Sequence, residues 1–133
     1  QLTNRAPQLS RLIDYMTGDW SARPGGVAID PNRIGAFGFS AGGFTVTSAI
    51  GGVSDAAAIG DHCQAHPGFF ACRLLDAMGI DLSTWRPRAR DDRIKAAVIA
   101  APALGFSFTS DSLAAAVASS STSLCTTSAA LTT

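Results

Sequence analysis

The sequence predicts an α/β fold with neighbouring parallel strands, and three observations carry that expectation. Two short, almost wholly apolar runs, Arg33–Phe39 and Arg93–Ala101, are each bounded by turn formers, the pattern of strands buried on both faces of a parallel sheet. Between them, immediately after the first run, lies a segment of small residues (AGGFTVTSAIGG) that can sit close against a sheet as a helix. The chain of 133 residues is 47% hydrophobic and 15% charged, enough apolar material for one small core and outside the range of compositional disorder.

In chain order, Pro7–Asp19 places Leu9, Leu12, Ile13 and Met16 at helical spacing, which predicts a helix with one buried face stopped by Gly18. Ser21–Asn32 reads as a loop because Pro24-Gly25-Gly26 and Asp30-Pro31-Asn32 are turn formers. The strand Arg33–Phe39 follows. The small-residue segment after it is a poor helix by propensity alone. Asp55–Arg93 reads as irregular, with a weak helix around Cys72–Met78 and punctuation at Pro67-Gly68 and Pro87. The second strand, Arg93–Ala101, is ended by Pro102, and strand, helix, excursion, strand implies parallel neighbours by the crossover rule. Ala114–Thr133 is nearly all Ala, Ser and Thr and supports no secondary-structure assignment.

Ten basic and ten acidic residues cancel, and no basic stripe interleaves with aromatics, so no nucleic-acid partner is expected. No run of about 18 apolar residues appears, so no membrane span is expected within the chain. The glycines at 35, 38, 42 and 43 do not match G-x-G-x-x-G, which disfavours a nucleotide-binding module; no cofactor is expected.

The chemistry-bearing motif is Gly38-Phe39-Ser40-Ala41-Gly42, a G-x-S-x-G at the carboxyl end of an apolar run. On a sharp strand-to-helix turn, side chains two residues either side of the serine are expected to collide, so Gly38 and Gly42 free the turn and leave the hydroxyl exposed. The amide of Ala41 then opens a helix aimed at the site and serves as an oxyanion donor, typically worth roughly 3 kcal/mol at the transition state. The bland alternative is a glycine-rich turn with a bystander serine; the apolar strand before and the small residues after favour the nucleophile.

The stretch DPNRIGAFGFSAGGFTV resembles the nucleophile elbow of the α/β-hydrolase superfamily. With DHCQAHPGFFAC and DDRIKAAVIAAPALGFSFT, the resemblance narrows to the branch described as predicted dienelactone hydrolases, akin to proteins likened to platelet-activating-factor acetylhydrolase. It runs from about Pro7 to about Ala116. It implies the central part of a hydrolase sheet (elbow strand and helix plus the next strand), truncated at both ends, with an excursion at about 54–92. It also implies serine chemistry on a carboxylic ester or lactone, with Ser40 as nucleophile and Ala41 as oxyanion amide. Earlier strands, one of them leading to a second oxyanion donor, belong to the pattern and are not in this sequence. Gln1 stands where an initiator methionine would, so the sequence is expected to start inside a longer protein.

A serine needs a base and an acid. The histidines are His62 and His66, both preceding the second strand, whereas the resemblance places acid and histidine after later strands. Neither is therefore expected to serve as base, and His66-Pro67-Gly68 is expected to close a turn. His62, Cys63, His66 and Cys72 invite a zinc reading, but their spacing fits no common template; a Cys63–Cys72 disulfide, suited to an oxidising compartment such as the periplasm or exterior, is favoured over a metal. Asp91-Asp92 is read as a solvated turn among Arg88, Arg90 and Arg93 rather than a paired-carboxylate site. The chain is expected to be inactive by itself; the alternative is a catalytically dead α/β remnant or binding module. The segment 117–133, standing where the acid should follow, is expected to be either a frame-shifted translation or a disordered low-complexity tail. Sequencing the encoding DNA separates these: a hydrolase-like peptide in an alternative frame supports the shift, and none in either frame excludes it.

Overall fold

The computed structural model describes residues 2–86 and 90–118. Among them the architecture is mixed α/β, with five α-helices and one two-stranded parallel sheet. Strand β1 is Ile34–Phe39 and strand β2 is Ile94–Ala100, paired in parallel from Ile34↔Ile94 to Phe39↔Ala100 with one register irregularity after Ile34. Both strands and their parallel pairing agree with the sequence expectation.

Helix α1 spans Arg5–Tyr15, two residues earlier than expected. Pro7 is tolerated because it lies in the first turn, where no intrahelical N–H bond is required. Gly18 does not stop it; the chain continues as a wider turn over Met16–Trp20. Hydroxyls stitch this extension, Thr17 Oγ1 donating to the Ile13 carbonyl at 2.8 Å and Ser21 Oγ to that of Met16 at 2.7 Å. The expected apolar face is only half covered: Ile13 is buried, but Leu12 is 53% exposed. The stripe instead lines an apolar groove of about 340 Å³, with Leu9, Leu12 and Met16 facing Ile34, Ala36 and Phe37.

Helix α2, Ala41–Ala49, is the centre of the molecule, and everything from Gly43 to Ile50 is buried. Its polar residues do not spoil that burial. Thr45, Thr47 and Ser48 each donate their hydroxyl to the carbonyl four residues back, at 2.8–2.9 Å, so no hydroxyl is buried unsatisfied. On one side Val46, Ala49 and Ile50 join Ala6, Ile13, Ile94, Ala97 and Ile99, with Ala116 of α5 (Ser110–Ala118). On the other, Phe44 enters a second cluster with Ile59, Trp85, Leu104 and Phe108.

Helix α3, Ala56–Ala65, lies in the region read as irregular. Its start was legible in Asp55, whose carboxylate accepts from the Ala57 amide at 2.9 Å as an N-cap. Helix α4, Phe70–Ala77, begins two residues before the expected weak helix. The Phe69 amide donates to the His66 carbonyl at 3.0 Å, so His66–Phe69 is the expected turn. Ala114–Ala118, left without assignment, continues α5; residues 119–133 of the Ala/Ser/Thr tail lie outside the described residues.

Two further expectations are corrected. The strands are buried on one face only: Phe37 is 72% and Phe39 63% exposed, because α1 and α2 cover one side of the sheet and no described element covers the other. Asp91 is not a solvated turn residue. Its side chain is buried, and both carboxylate oxygens accept from the Arg93 guanidinium, at 2.8 and 2.7 Å. Arg93 also pairs with Asp14 on α1, tying that helix to the start of β2, while Asp92 is exposed and pairs with Arg90.

The hydrogen bonds from Arg93 hold the Asp91 carboxyl at about 2, below its usual 3.8, against the opposing effect of burial. Because the folded value is depressed, its contribution is fully present above pH ~4 and is lost as pH falls through ~2, amounting to roughly 1–2 kcal/mol. The urea midpoint of the wild type is expected to fall over that window, and Asp91→Asn to flatten that part of the profile and lower stability at neutral pH.

Candidate functional site at the carboxyl end of the sheet

Both strands deliver their carboxyl ends to one edge, and the backbone there is unusual. The non-glycine residues with positive φ among the described residues are Ser40 (φ 52°), Ala101 (φ 40°) and Leu104 (φ 54°), and all three follow β1 or β2 at that edge. Such conformations cost on the order of 1–3 kcal/mol each and persist only where the surroundings enforce them.

For Ser40 the enforcement is visible. Its amide donates to the Ala100 carbonyl at 3.1 Å, continuing the strand ladder, and its carbonyl accepts from Phe44 at 3.0 Å and Ala103 at 2.9 Å. The chain therefore changes from strand to helix in one residue, at φ 52° and ψ −117°. A serine before a helix ordinarily caps it; in this conformation the Ser40 hydroxyl makes no capping bond, and the residue is exposed. Ala41 is the first residue of α2, so its amide has no carbonyl within the helix to bond.

The two motif glycines are not equivalent. A Cβ on Gly38 would stand 2.3 Å from the Gly42 carbonyl oxygen and 2.8 Å from the Gly43 nitrogen, contacts no real side chain makes. A Cβ on Gly42 would meet nothing within 4 Å, so the collision expected there does not occur in this chain. The glycine that matters on the helix side is Gly43, whose Cβ would lie 2.9 Å from the Pro102 Cα and 3.2 Å from the Ala100 carbonyl. It lets α2 seat against the end of β2.

Sequence reading missed Ala101 and Leu104. Neither residue type signals positive φ, and Pro102 was the only hint of irregular backbone. A buried polar chain holds Leu104 in place: Trp85 Nε1 donates to Ser54 Oγ at 3.1 Å, Ser54 to Ser107 Oγ at 2.7 Å, and Ser107 to the Leu104 carbonyl at 2.7 Å. The order is fixed because the Leu104 carbonyl only accepts, which uses the one hydroxyl proton of Ser107 and leaves Ser54 as the donor to it.

No imidazole or carboxylate hydrogen-bonds to Ser40 among the described residues. His62 instead stacks on Phe106 at 3.8 Å between ring centres, with His66 at 4.7 Å and Phe69 at 5.2 Å. The favoured Cys63–Cys72 disulfide is formed, joining α3 to α4. The apolar groove beside α1 is lined by the amino-terminal part of β1 and does not include Ser40. Among the described residues, no helix is long and apolar enough to cross a membrane.

Compared with protein-family models, curated proteins and solved structures, the chain matches none.

The glycine asymmetry yields a paired test. Gly38→Ala is expected to cost at least about 2 kcal/mol through backbone displacement. Gly42→Ala is expected to be neutral or stabilising by up to ~1 kcal/mol through helix propensity. Ser40→Gly, relieving the positive φ, is expected to stabilise by about 1 kcal/mol where Ser40→Ala does not. Denaturant unfolding of the four variants beside the parent chain checks the order.

Proposed function

We propose that this chain is the elbow-bearing part of a serine ester hydrolase of the α/β-hydrolase type, similar to the predicted dienelactone hydrolases. The observation that carries the reading is the exposed, uncapped Ser40 held at positive φ between β1 and α2. In this reading the Ser40 oxygen attacks the carbonyl of a carboxylic ester or lactone, and the oxyanion forms beside the Ala41 amide. Collapse expels the alkoxide, which takes up a proton and leaves as alcohol; a lactone opens and keeps its hydroxyl. Water then attacks the acyl-serine, releasing the acid and restoring the hydroxyl.

The step needs a base to accept the serine proton, and His62, packed between Phe106, His66 and Phe69, is engaged elsewhere. The reading is therefore of a nucleophile whose base and acid come from other parts of the hydrolase. The bare face of the sheet, with Phe37, Phe39 and Val98 exposed, supports it, since parallel sheets are normally covered on both faces. A second reading, a catalytically dead α/β remnant, is favoured by the lack, among the described residues, of an imidazole or carboxylate hydrogen-bonded to Ser40.

A fluorophosphonate probe distinguishes the two. Slow covalent labelling located to the Ser40 peptide by mass spectrometry and abolished in Ser40→Ala is expected for the hydrolase reading; no adduct there favours the remnant. Hydrolysis of p-nitrophenyl acetate by this chain is expected to equal that of Ser40→Ala. Robust turnover lost in His66→Ala would show that the base has been misplaced.

A further inference from the structure

We propose that helix α4 is a redox-released flap: the Cys63–Cys72 disulfide holds it closed, and reduction by a dithiol lifts it from His62. This inference does not depend on the hydrolase reading.

Among the described residues, little besides that bond fastens α4 to the rest of the molecule. Its charged side chains, Arg73 and Asp76, are exposed and form no ion pair with another described residue. Phe70, Leu74 and Met78, spaced four residues apart on one stripe, are exposed as well. Ala71 and Leu75, both half-buried, pack against the cluster of Phe44, Ile59 and Trp85, and the buried Cys72 is the residue bonded to α3. A helix of eight residues is too short to persist in water on its own, so its survival depends on this thin packing and the covalent tie.

The chain on either side of α4 is anchored, which keeps the opening local. Gly68 lies in the turn before the helix, and Gly79, at φ 58°, follows its end. Beyond these pivots, Ile59 of α3 is fully buried on one side, and Ile80 and Leu82 pack on the same cluster on the other. Segments that open without the whole fold have this character: few buried apolar contacts of their own, between firmer neighbours.

A separate observation shows which contact gives way. The Nε2 atom of His62 is fully buried and has no hydrogen-bond partner among the described residues, although buried polar atoms are normally satisfied. The ring stacks on Phe106, and Phe69, which immediately precedes α4, meets it edge-on at 5.2 Å between centres. When α4 lifts and takes Phe69 with it, water reaches this nitrogen and the cost of leaving it unpaired disappears. The closed form therefore contains an unfavourable burial that the disulfide overrides by restricting the open chain. In the reduction, a thiolate of the dithiol attacks Sγ of Cys63, the less buried of the two cysteines. The Sγ–Sγ bond breaks, and its electron pair leaves on Cys72 Sγ, which takes up a proton. The second sulfur of the reductant then displaces Cys63, which is protonated in turn, and the reductant departs as a disulfide.

Amide hydrogen exchange and histidine modification of the 133-residue chain carrying Cys125→Ser, which removes the third thiol, test the flap. After reduction with dithiothreitol, the amides of Arg73–Met78 are expected to exchange at least about 10-fold faster, with those of α2 and β2 changing by less than about twofold. Cys63→Ser with Cys72→Ser should reproduce that pattern without reductant. In this variant diethyl pyrocarbonate should modify His62 at least about 10-fold faster than in the oxidised chain, read by mass spectrometry against the exposed His66. The proposal is overturned if Arg73–Met78 stay as protected after reduction as before it. It is equally overturned if α2 and β2 lose protection together with α4, the opening then being global, or if His62 reacts at the same rate in both chains.

Discussion

The close approach of α2 to the ends of the two strands is the constraint on which the other features depend. The space where a Cβ of Gly38 would sit is filled by the backbone of Gly42 and Gly43, and the space beside Gly43 by Pro102 and the Ala100 carbonyl. Helix and sheet are thus in backbone contact at one point, and the chain must turn from one to the other in a single residue. Ser40 bears the strain of that turn. Its positive φ is held by three hydrogen bonds, two to the β2 strand end and the segment after it, so β2 helps to enforce a conformation that belongs to β1 and α2.

A helix seated this deeply has solvent on none of its faces beyond its first turn, which dictates its composition. Small residues permit the approach, and Val46, Ala49 and Ile50 on one side and Phe44 on the other join the two apolar clusters. Its three hydroxyl residues satisfy themselves within the helix by bonding the preceding turn, so a sequence of weak helix propensity is stable as a helix because of where it lies. The opposite side of the sheet follows no such economy. Phe37, Phe39 and Val98 project from it uncovered, and the outer rim of β1 borders an apolar groove, features that favour association with further apolar structure.

At the candidate site the strain and the chemistry are unevenly provided. Ser40, Ala101 and Leu104 concentrate backbone strain at one edge, and the Trp85–Ser54–Ser107 chain spends three buried polar groups on fixing the loop beneath it. The histidines belong to a different arrangement, an aromatic and disulfide cluster joining α3 to α4. Nucleophile geometry and imidazole chemistry are both present in the chain, separated by the fold.

The sequence by itself determined the two strands, their parallel pairing, helix α1 and the helix around Cys72 to within a few residues, the helix after Ser40, the turn at His66 and the pairing of Cys63 with Cys72. Each rests on a local signal: apolar residues at helical spacing, an apolar run between turn formers, small residues after a strand, a Pro-Gly pair, or two cysteines nine positions apart. Tertiary structure alone decided the remainder. That Gly43 rather than Gly42 is the close-packed glycine depends on Pro102, some sixty residues away. The burial of Asp91 depends on Arg93 reaching Asp14 of α1, and the exposure of Phe37 on which elements cover the sheet. Local pattern fixes which way a backbone runs, but what faces each side chain is set by residues distant in sequence, and no periodicity encodes them.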